Sequence, residues 1–191
     1  MLVVRAGLTR DRIIEAGAKL ADEWGFDAVT LAELARQFDV KLASLYSHLK
    51  NAEDLNTGIA LLALNALADR ADEAVAGRSG KDAMIALASV HRAFAREHPG
   101  LFHAARYPLD AATAANSGGA RLSRTMQAML RGYALTDEGV VHATRLLGSF
   151  FLGFALLELS GSFSHSSPGP DASWVHGLDG LDALLMSWAG K

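Results

Sequence analysis

The stretch 29-VTLAEL-34 leaves the backbone little choice. Thr30 is a good N-cap and Glu33, three residues on, completes a capping box, while Val29 and Leu34 occupy the two staple positions around it. A helix therefore starts at Leu31. Upstream, Thr9 is a second N-cap, followed by Ile13, Ile14, Gly17, Leu20, Ala21 and Trp24 at helical spacing and by Gly25 in the C′ position. The helix begun at Leu31 turns Leu31, Leu34, Ala35 and Phe38 inward. It stops near Asp39, a residue type that tolerates the left-handed conformation of a tight turn. A further helix begins around Lys41 or Leu42 and runs to about Leu49, with Leu45 and Leu49 inward and Val40 plugging the turn before it. That last helix is too short to be a core on its own. At 100° per residue its opposite face holds Ala43, Ser47 and Lys50, flanked by Ser44 and Tyr46: small, hydroxylated and mildly basic.

The remainder also reads as helix, so the fold class is all-α. Alanine and leucine dominate, β-branched residues are sparse and prolines number four, a balance that disfavours sheet. Asn51 caps a long helix from about Ala52 to Ala76, and another covers about Lys81 to Glu97. A short helical piece carries 101-LFHAARY-107, Pro108 opens a segment that dissolves in 116-NSGG-119, and helices follow over Ala120–Tyr133 and Asp137 to about Ser162. The composition of 160-SGSFSHSSPGPDAS-173 is that of a flexible loop. In the last helix, about Ser173 to Trp188, the residues Trp174, Leu178, Leu181, Leu185 and Trp188 follow spacings of 4, 3, 4 and 3, a coiled-coil-like seam with Gly177 and Gly180 beside it. The preceding helix is apolar nearly all round from Leu146 to Leu157, which asks for neighbours on every side. A second copy of the chain would supply them, and the seam together with Phe151 and Phe154 is the expected dimer interface.

Several functions are disfavoured. The chain has no cysteine, hence no disulfide framework and no thiolate metal cluster. The start 1-MLVVRAGLTR-10 lacks the long apolar region of a secretory signal. The most apolar segment, 146-LLGSFFLGFALL-157, falls short of the ~20 residues that cross a bilayer, so a soluble cytoplasmic protein with no membrane partner is expected. Net charge is −3; residues 1–50 balance seven Lys/Arg against seven Asp/Glu, so any contact with nucleic acid rests on placement rather than bulk charge. GxSxG and GxGxxG are absent and 77-GRSGKD-82 lacks the features of a phosphate loop, so no enzyme is expected. The C-terminal histidines do not pair at helical spacing with one another; Glu138 and His142 form one weak pair, and neither a metal nor a cofactor is expected.

Two helices joined by a tight turn and braced by a first helix, the second of the pair short and presenting small hydroxyl side chains, are the plan of a helix-turn-helix DNA reader. A small exposed face lets the helix sit deep in the major groove. The run Ile13, Ala16, Leu20, Gly25, Thr30, Leu34-Ala35, Val40 and 45-LYSHLKN-51 resembles the N-terminal domain of the tetracycline-repressor (TetR) family of bacterial regulators. The segments 94-FAREHPGLFHAARY-107 and 144-TRLLGSFFLGFALLELSGSF-163 are similar to a common C-terminal subtype. The resemblance implies an Ω-shaped homodimer, with a DNA-binding domain over residues 1–50 and an all-helical domain over 51–191 that dimerises and binds a small molecule. It implies a ligand-responsive regulator, a repressor released from a palindromic double-stranded operator by an effector. Carried over by residue, Thr30 is similar to the phosphate-contacting cap, Leu42, Ala43 and Ser44 to the base-reading start of the recognition helix, and Tyr46 and His48 to the backbone-contacting pair; Lys41 and Lys50 offer charge. The chain departs from the family at Asp39 and Lys41, where glycine and Ser/Thr are common, and at Ala52, where a lysine is usual. These departures and the neutral first fifty residues support an alternative, a helical small-molecule-binding protein whose DNA-reading domain has decayed. Arg5 and Arg10 are either solvated or part of an arm reaching the minor groove. A partly apolar effector would be lined by some of Phe94, Phe102, Met126, Met129, Tyr133 and Phe150, with His103, Arg106 and Tyr107 as its polar contacts.

Overall fold

The computed structural model describes residues 7–190, so Arg5 lies outside the described residues. Their regular structure is helical: α1 (Arg10–Trp24), a 3₁₀ turn (Phe26–Ala28), α2 (Leu31–Gln37), α3 (Leu42–Leu45), α4 (Ala52–Val75), α5 (Gly80–Glu97), α6 (Pro99–Ala104), α7 (Ala111–Ala115), α8 (Gly118–Leu130), a second 3₁₀ turn (Arg131–Tyr133), α9 (Asp137–Leu159) and α10 (Pro170–Ser187). These form two compact units. One takes the chain through Leu64 together with His98–Thr113; the other takes Asn65–Glu97 and the chain from Ala114 onward. The division does not follow a cut at Lys50, because α4 is one continuous helix and α6 packs on α1.

In the first unit α1, α2 and α4 each begin at a side-chain cap. Thr9 Oγ1 accepts from the Arg12 N–H at 3.3 Å, Thr30 Oγ1 from Glu33 N–H at 3.1 Å, and Asn51 Oδ1 from Asp54 N–H at 2.8 Å. Asp39 takes the left-handed conformation, φ 52°, that ends α2. Ile13, Leu20, Leu34, Leu45, Leu49 and Leu55 fill the core. Trp24, expected inside, is 57% exposed. The chain turns at Gly25, φ 92°, and Phe26 is buried instead, with edge contacts to His103 and Tyr107. Phe38 is only half-buried.

α6 is seated on α1 main chain to main chain. A β-carbon on Gly100 would stand 1.8 Å from the Ala21 carbonyl oxygen, so only glycine fits. Pro99 opens α6 without needing an N–H, Asp22 Oδ1 accepts from the Leu101 N–H at 2.9 Å, and Asp22 Oδ2 lies 2.7 Å from His98 Nδ1.

The second unit is built on long helices around one apolar core that includes Met84, Leu87, Leu130, Leu147, Phe151, Trp174 and Leu178. The seam on α10 is spent within this core. Phe151, Trp174, Leu178, Leu181 and Leu185 are buried inside their own chain, and Phe150, Phe154 and Trp188 pack partly against them, so most of the residues expected at a dimer interface are unavailable to a second copy. A 4-3-4-3 spacing marks a buried stripe but carries no information about which chain covers it. The faces left outward carry Val141, Leu156, Leu157 and Leu159 on α9 and Val175, Leu184 and Met186 on α10. Phe150 lies over Gly177, where a β-carbon would meet its ring at 2.5 Å. Other boundaries also shift. α7 ends at Ala115, where 116-NSGG-119 breaks the chain as expected, but Ser117 caps the Gly119 N–H at 3.1 Å so that the same stretch also starts α8, and Pro170 opens α10 inside the expected loop. At 23 residues, with a mean hydropathy of 1.6 over its most apolar window, α9 is long and apolar enough to cross a membrane by length and composition; a twelve-residue count of its apolar run understated it. Only 22% of that window is buried within the chain.

One charge cluster ties this unit together. Arg92, 7% exposed, donates to Glu158 through Nε at 2.9 Å and Nη2 at 2.5 Å, and to Asp171 at 2.7 Å. Arg96 repeats the pattern at 3.1, 2.7 and 3.1 Å. The Arg92 guanidinium lies 5.3 Å from the Phe154 ring centre and 5.2 Å from that of Trp174. Arg92 draws the Glu158 carboxyl down to about 2, against the effect of burial and with Arg96 adding to it.

Candidate nucleic-acid interface

Regular α3 is one turn, Leu42–Leu45, shorter than the expected run to Leu49. The winding nevertheless continues, since the His48 and Leu49 N–H groups both donate to the Leu45 carbonyl at 2.9 Å. Leu45 and Leu49 are buried at 0% and 2%, and Lys41, Leu42, Ala43, Ser44, Tyr46, Ser47 and Lys50 are exposed, with His48 half-buried. Lys41 stands at the N-cap and makes no side-chain cap bond. Ser47 Oγ donates to the Ser44 carbonyl at 2.7 Å and is thereby turned back onto the helix. Thr30 is exposed; its oxygen accepts the cap bond while its hydroxyl proton stays free to donate outward.

Beside α3 lies an open concavity of about 430 Å³ lined by Arg10, Tyr46, Ser47, His48, Leu49, Lys50 and Asp54. Arg10, the first residue of α1, donates to Asp54 Oδ1 at 2.7 Å, and the Lys50 N–H donates to Asp54 Oδ2 at 3.0 Å. Burial raises the Asp54 carboxyl, but Arg10 and the Lys50 N–H outweigh it and hold the group below the ordinary carboxylate value. The link joins residues 44 apart, which no local spacing announces.

The residues expected to line an effector pocket are divided between the two compact units. Phe102, His103, Arg106 and Tyr107 belong to the first unit. There Phe102 is buried, His103 and Tyr107 edge Phe26, and Arg106 lies over the Phe102 ring and donates to the Phe102 carbonyl at 2.6 Å. Phe94, Met126, Met129 and Tyr133 are buried in the second unit, with Phe150 packed against its core. The Tyr133 hydroxyl donates to Asp182 at 2.8 Å, and burial, then Asp182, push its pKa up. An open groove in that unit, about 990 Å³, is lined by Thr136, Asp137, Glu138, Gly139, His142, Leu146, Leu184 and Trp188. Of the residues singled out for a site, only Trp188 reaches it, and it had been assigned to the dimer seam. The signal missed was the convergence of the N-terminal part of α9 on the last turns of α10, a contact between segments far apart in sequence.

Residues 13–56 match the bacterial regulatory proteins of the tetR family, and residues 84–181 match the tetracyclin repressor-like C-terminal domain. The HTH-type transcriptional regulator YobS of Bacillus subtilis is 34% identical over 154 residues, 80% of each chain. The chain belongs to the TetR family of bacterial regulators. A second relative, the HTH-type transcriptional regulator Rv0681 of Mycobacterium tuberculosis, is 33% identical over 82% of this chain and 72% of its own. Among solved structures, a Rhodococcus protein of unknown function superposes with a TM-score of 0.78 at 18% identity, covering 97% of this chain and 100% of that one. ActR of Streptomyces coelicolor in complex with actinorhodin gives 0.74 at 22% identity, with the same coverage. These likenesses establish the TetR fold; the sequence relatives establish a DNA-binding transcriptional regulator.

Proposed function

We propose that the protein is a homodimeric repressor that leaves a palindromic operator when a small, partly apolar molecule binds its second unit. The single observation that carries the DNA-reading part is the division of α3: Leu45 and Leu49 anchor it, while the residues that would meet a duplex all lie on its free side. In this reading Thr30, Tyr46, His48, Lys41 and Lys50 hold phosphates and fix register, and Leu42, Ala43 and Ser44 meet base edges. None of those last three can make a bidentate contact, so Leu42, 41% exposed, selects thymine through its methyl group. Two such helices would enter successive major grooves ~34–36 Å apart.

The dimer in this proposal does not use the buried seam of α10. It uses the outward apolar residues of α9 and α10, which in water are better covered by a second copy than left wet. A membrane-spanning role for α9 is less well supported, because Arg145 and Glu158 lie on it and Glu158 is locked to Arg92 and Arg96. The effector is proposed to act without being transformed, since the relatives are named transcriptional regulators. ActR is bound to actinorhodin, and a TetR protein of Acinetobacter baumannii to minocycline, which supports a small-molecule effector here. Ligand and operator binding then oppose each other through one coupling free energy.

Footprinting on selected duplexes with and without a bound effector tests the proposal. Protection of two half-sites, weakened when uracil replaces the thymine facing Leu42, is the expected result. A ligand that binds tightly and leaves operator affinity unchanged ends the switch hypothesis, and no salt-dependent binding to any duplex favours the decayed-domain alternative.

A further inference from the structure

Arg10 sits where a cation is locally disfavoured. As the first residue of α1 it opposes the helix macrodipole, and the chain keeps it there with a carboxylate supplied by another helix. A local rule broken and compensated at long range marks a residue retained for a task. The first turn of α4 carries Glu53 and Asp54 and no cation, so the concavity beside α3 takes its positive charge from elsewhere. Its lining collects donors from two segments: the Arg10 guanidinium from α1, and the Tyr46 hydroxyl, His48 and Lys50 from the run 46–50. Asp54 lies beneath them, its oxygens occupied by Arg10 at 2.7 Å and by the Lys50 N–H at 3.0 Å, so its charge is compensated rather than aimed outward. The Arg10 side chain remains 43% exposed, and a guanidinium bonded through one nitrogen keeps further N–H groups for a second anion.

We infer that Arg10 is a DNA-backbone ligand: held in place by Asp54, it completes with Tyr46, His48 and Lys50 a single seat for one duplex phosphate. The inference rests on the DNA-reading function proposed above. Asp54 is then a positioning residue that acts through Arg10 and touches no nucleic acid itself.

The test is the salt dependence of binding to a random 30-base-pair duplex and to a selected operator, measured for the intact dimer. Arg10→Met should lower the slope of log K against log salt by about 1.8, one phosphate contact for each protomer of the dimer, and weaken both duplexes by the same factor. Lys50→Met serves as the comparator at the same seat. Because Arg10→Met also breaks the Asp54 pair, the double variant Arg10→Gln/Asp54→Asn is measured beside it; net charge is unchanged, yet the slope should fall by the same amount. If Lys50→Met lowers the slope and neither Arg10 variant does, Arg10 is an ion-pair partner only and the inference is overturned. If the unmodified protein shows no salt-dependent binding to either duplex, the DNA-reading function itself fails.

Discussion

In the first compact unit, polar side chains are spent at helix ends. Thr9, Thr30 and Asn51 each hold an N–H of the helix they begin, and Asp22 holds the first turn of α6. In the second unit, four charged side chains converge on one place, where Arg92 and Arg96 bind Glu158 and Asp171 beneath Phe154 and Trp174. Capping is common to both units, since Ser117 and Thr136 start α8 and α9 in the second, and what sets the second apart is its buried charge cluster. Helix ends expose N–H groups to water wherever they lie, so a local side chain is enough to satisfy each one. Long helices bury a continuous core, and polar groups trapped beside it are stable only when they satisfy one another.

The contrast predicts unequal damage. Glu158→Gln leaves a nearly buried guanidinium with one weakened partner and should cost about 3 kcal/mol. Urea unfolding at pH 7 measures this, and a loss below about 0.5 kcal/mol would reduce the cluster to an ordinary surface pair. The same group sets an acid limit. Its folded pKa, about 2, lies below the ordinary 4.5, so its contribution is complete above pH 4.5 and fades as pH falls from 4.5 toward 2. The Gln variant should show a flatter stability curve over that window. Next in size, Gly100→Ala forces a β-carbon into the Ala21 carbonyl and should cost about 2–3 kcal/mol, read as a lower melting temperature with faster amide exchange in α1 and α6. Thr30→Ala should cost about 1 kcal/mol, while Thr30→Ser keeps most of the stability. Operator affinity should fall with the alanine variant if Thr30 holds a phosphate as proposed. Smallest, Asp39→Gly relieves a left-handed residue and should stabilise the protein by about 0.5 kcal/mol in a thermal melt. Were the helix-end substitutions to outweigh Glu158→Gln, the contrast between the units would be reversed.

This contrast also explains what could be read from the chain alone. Capping signals act over three or four residues, so the ends of α1, α2 and α4 and the turn at Asp39 were legible, as was the division of α3 into Leu45 and Leu49 against its free face. Trp24 was misjudged because helical spacing continues to the last residue before a turn, while burial depends on what packs there, here Phe26. The seam of α10 was seen and its owner was not, since Phe151 and Leu147 on α9 cover it from within the same chain. His103, Arg106 and Tyr107 looked like pocket residues because aromatic and polar groups cluster after a helix break. Only the close approach at Gly100 reveals that their helix belongs on α1. Arg92 with Glu158, and Arg10 with Asp54, join positions too distant in sequence for any periodicity to report.

The seating at Gly100 has a consequence for how the family member can vary. Where two helices meet through side chains, a change on one can be absorbed by a rotation on the other, and the interface drifts by small steps. Where peptide planes touch directly, nothing can rotate away, so the depth at which α6 rests on α1 is fixed by backbone geometry alone. The rings around it can be exchanged, but any motion of α6 must carry α1 along or leave it altogether.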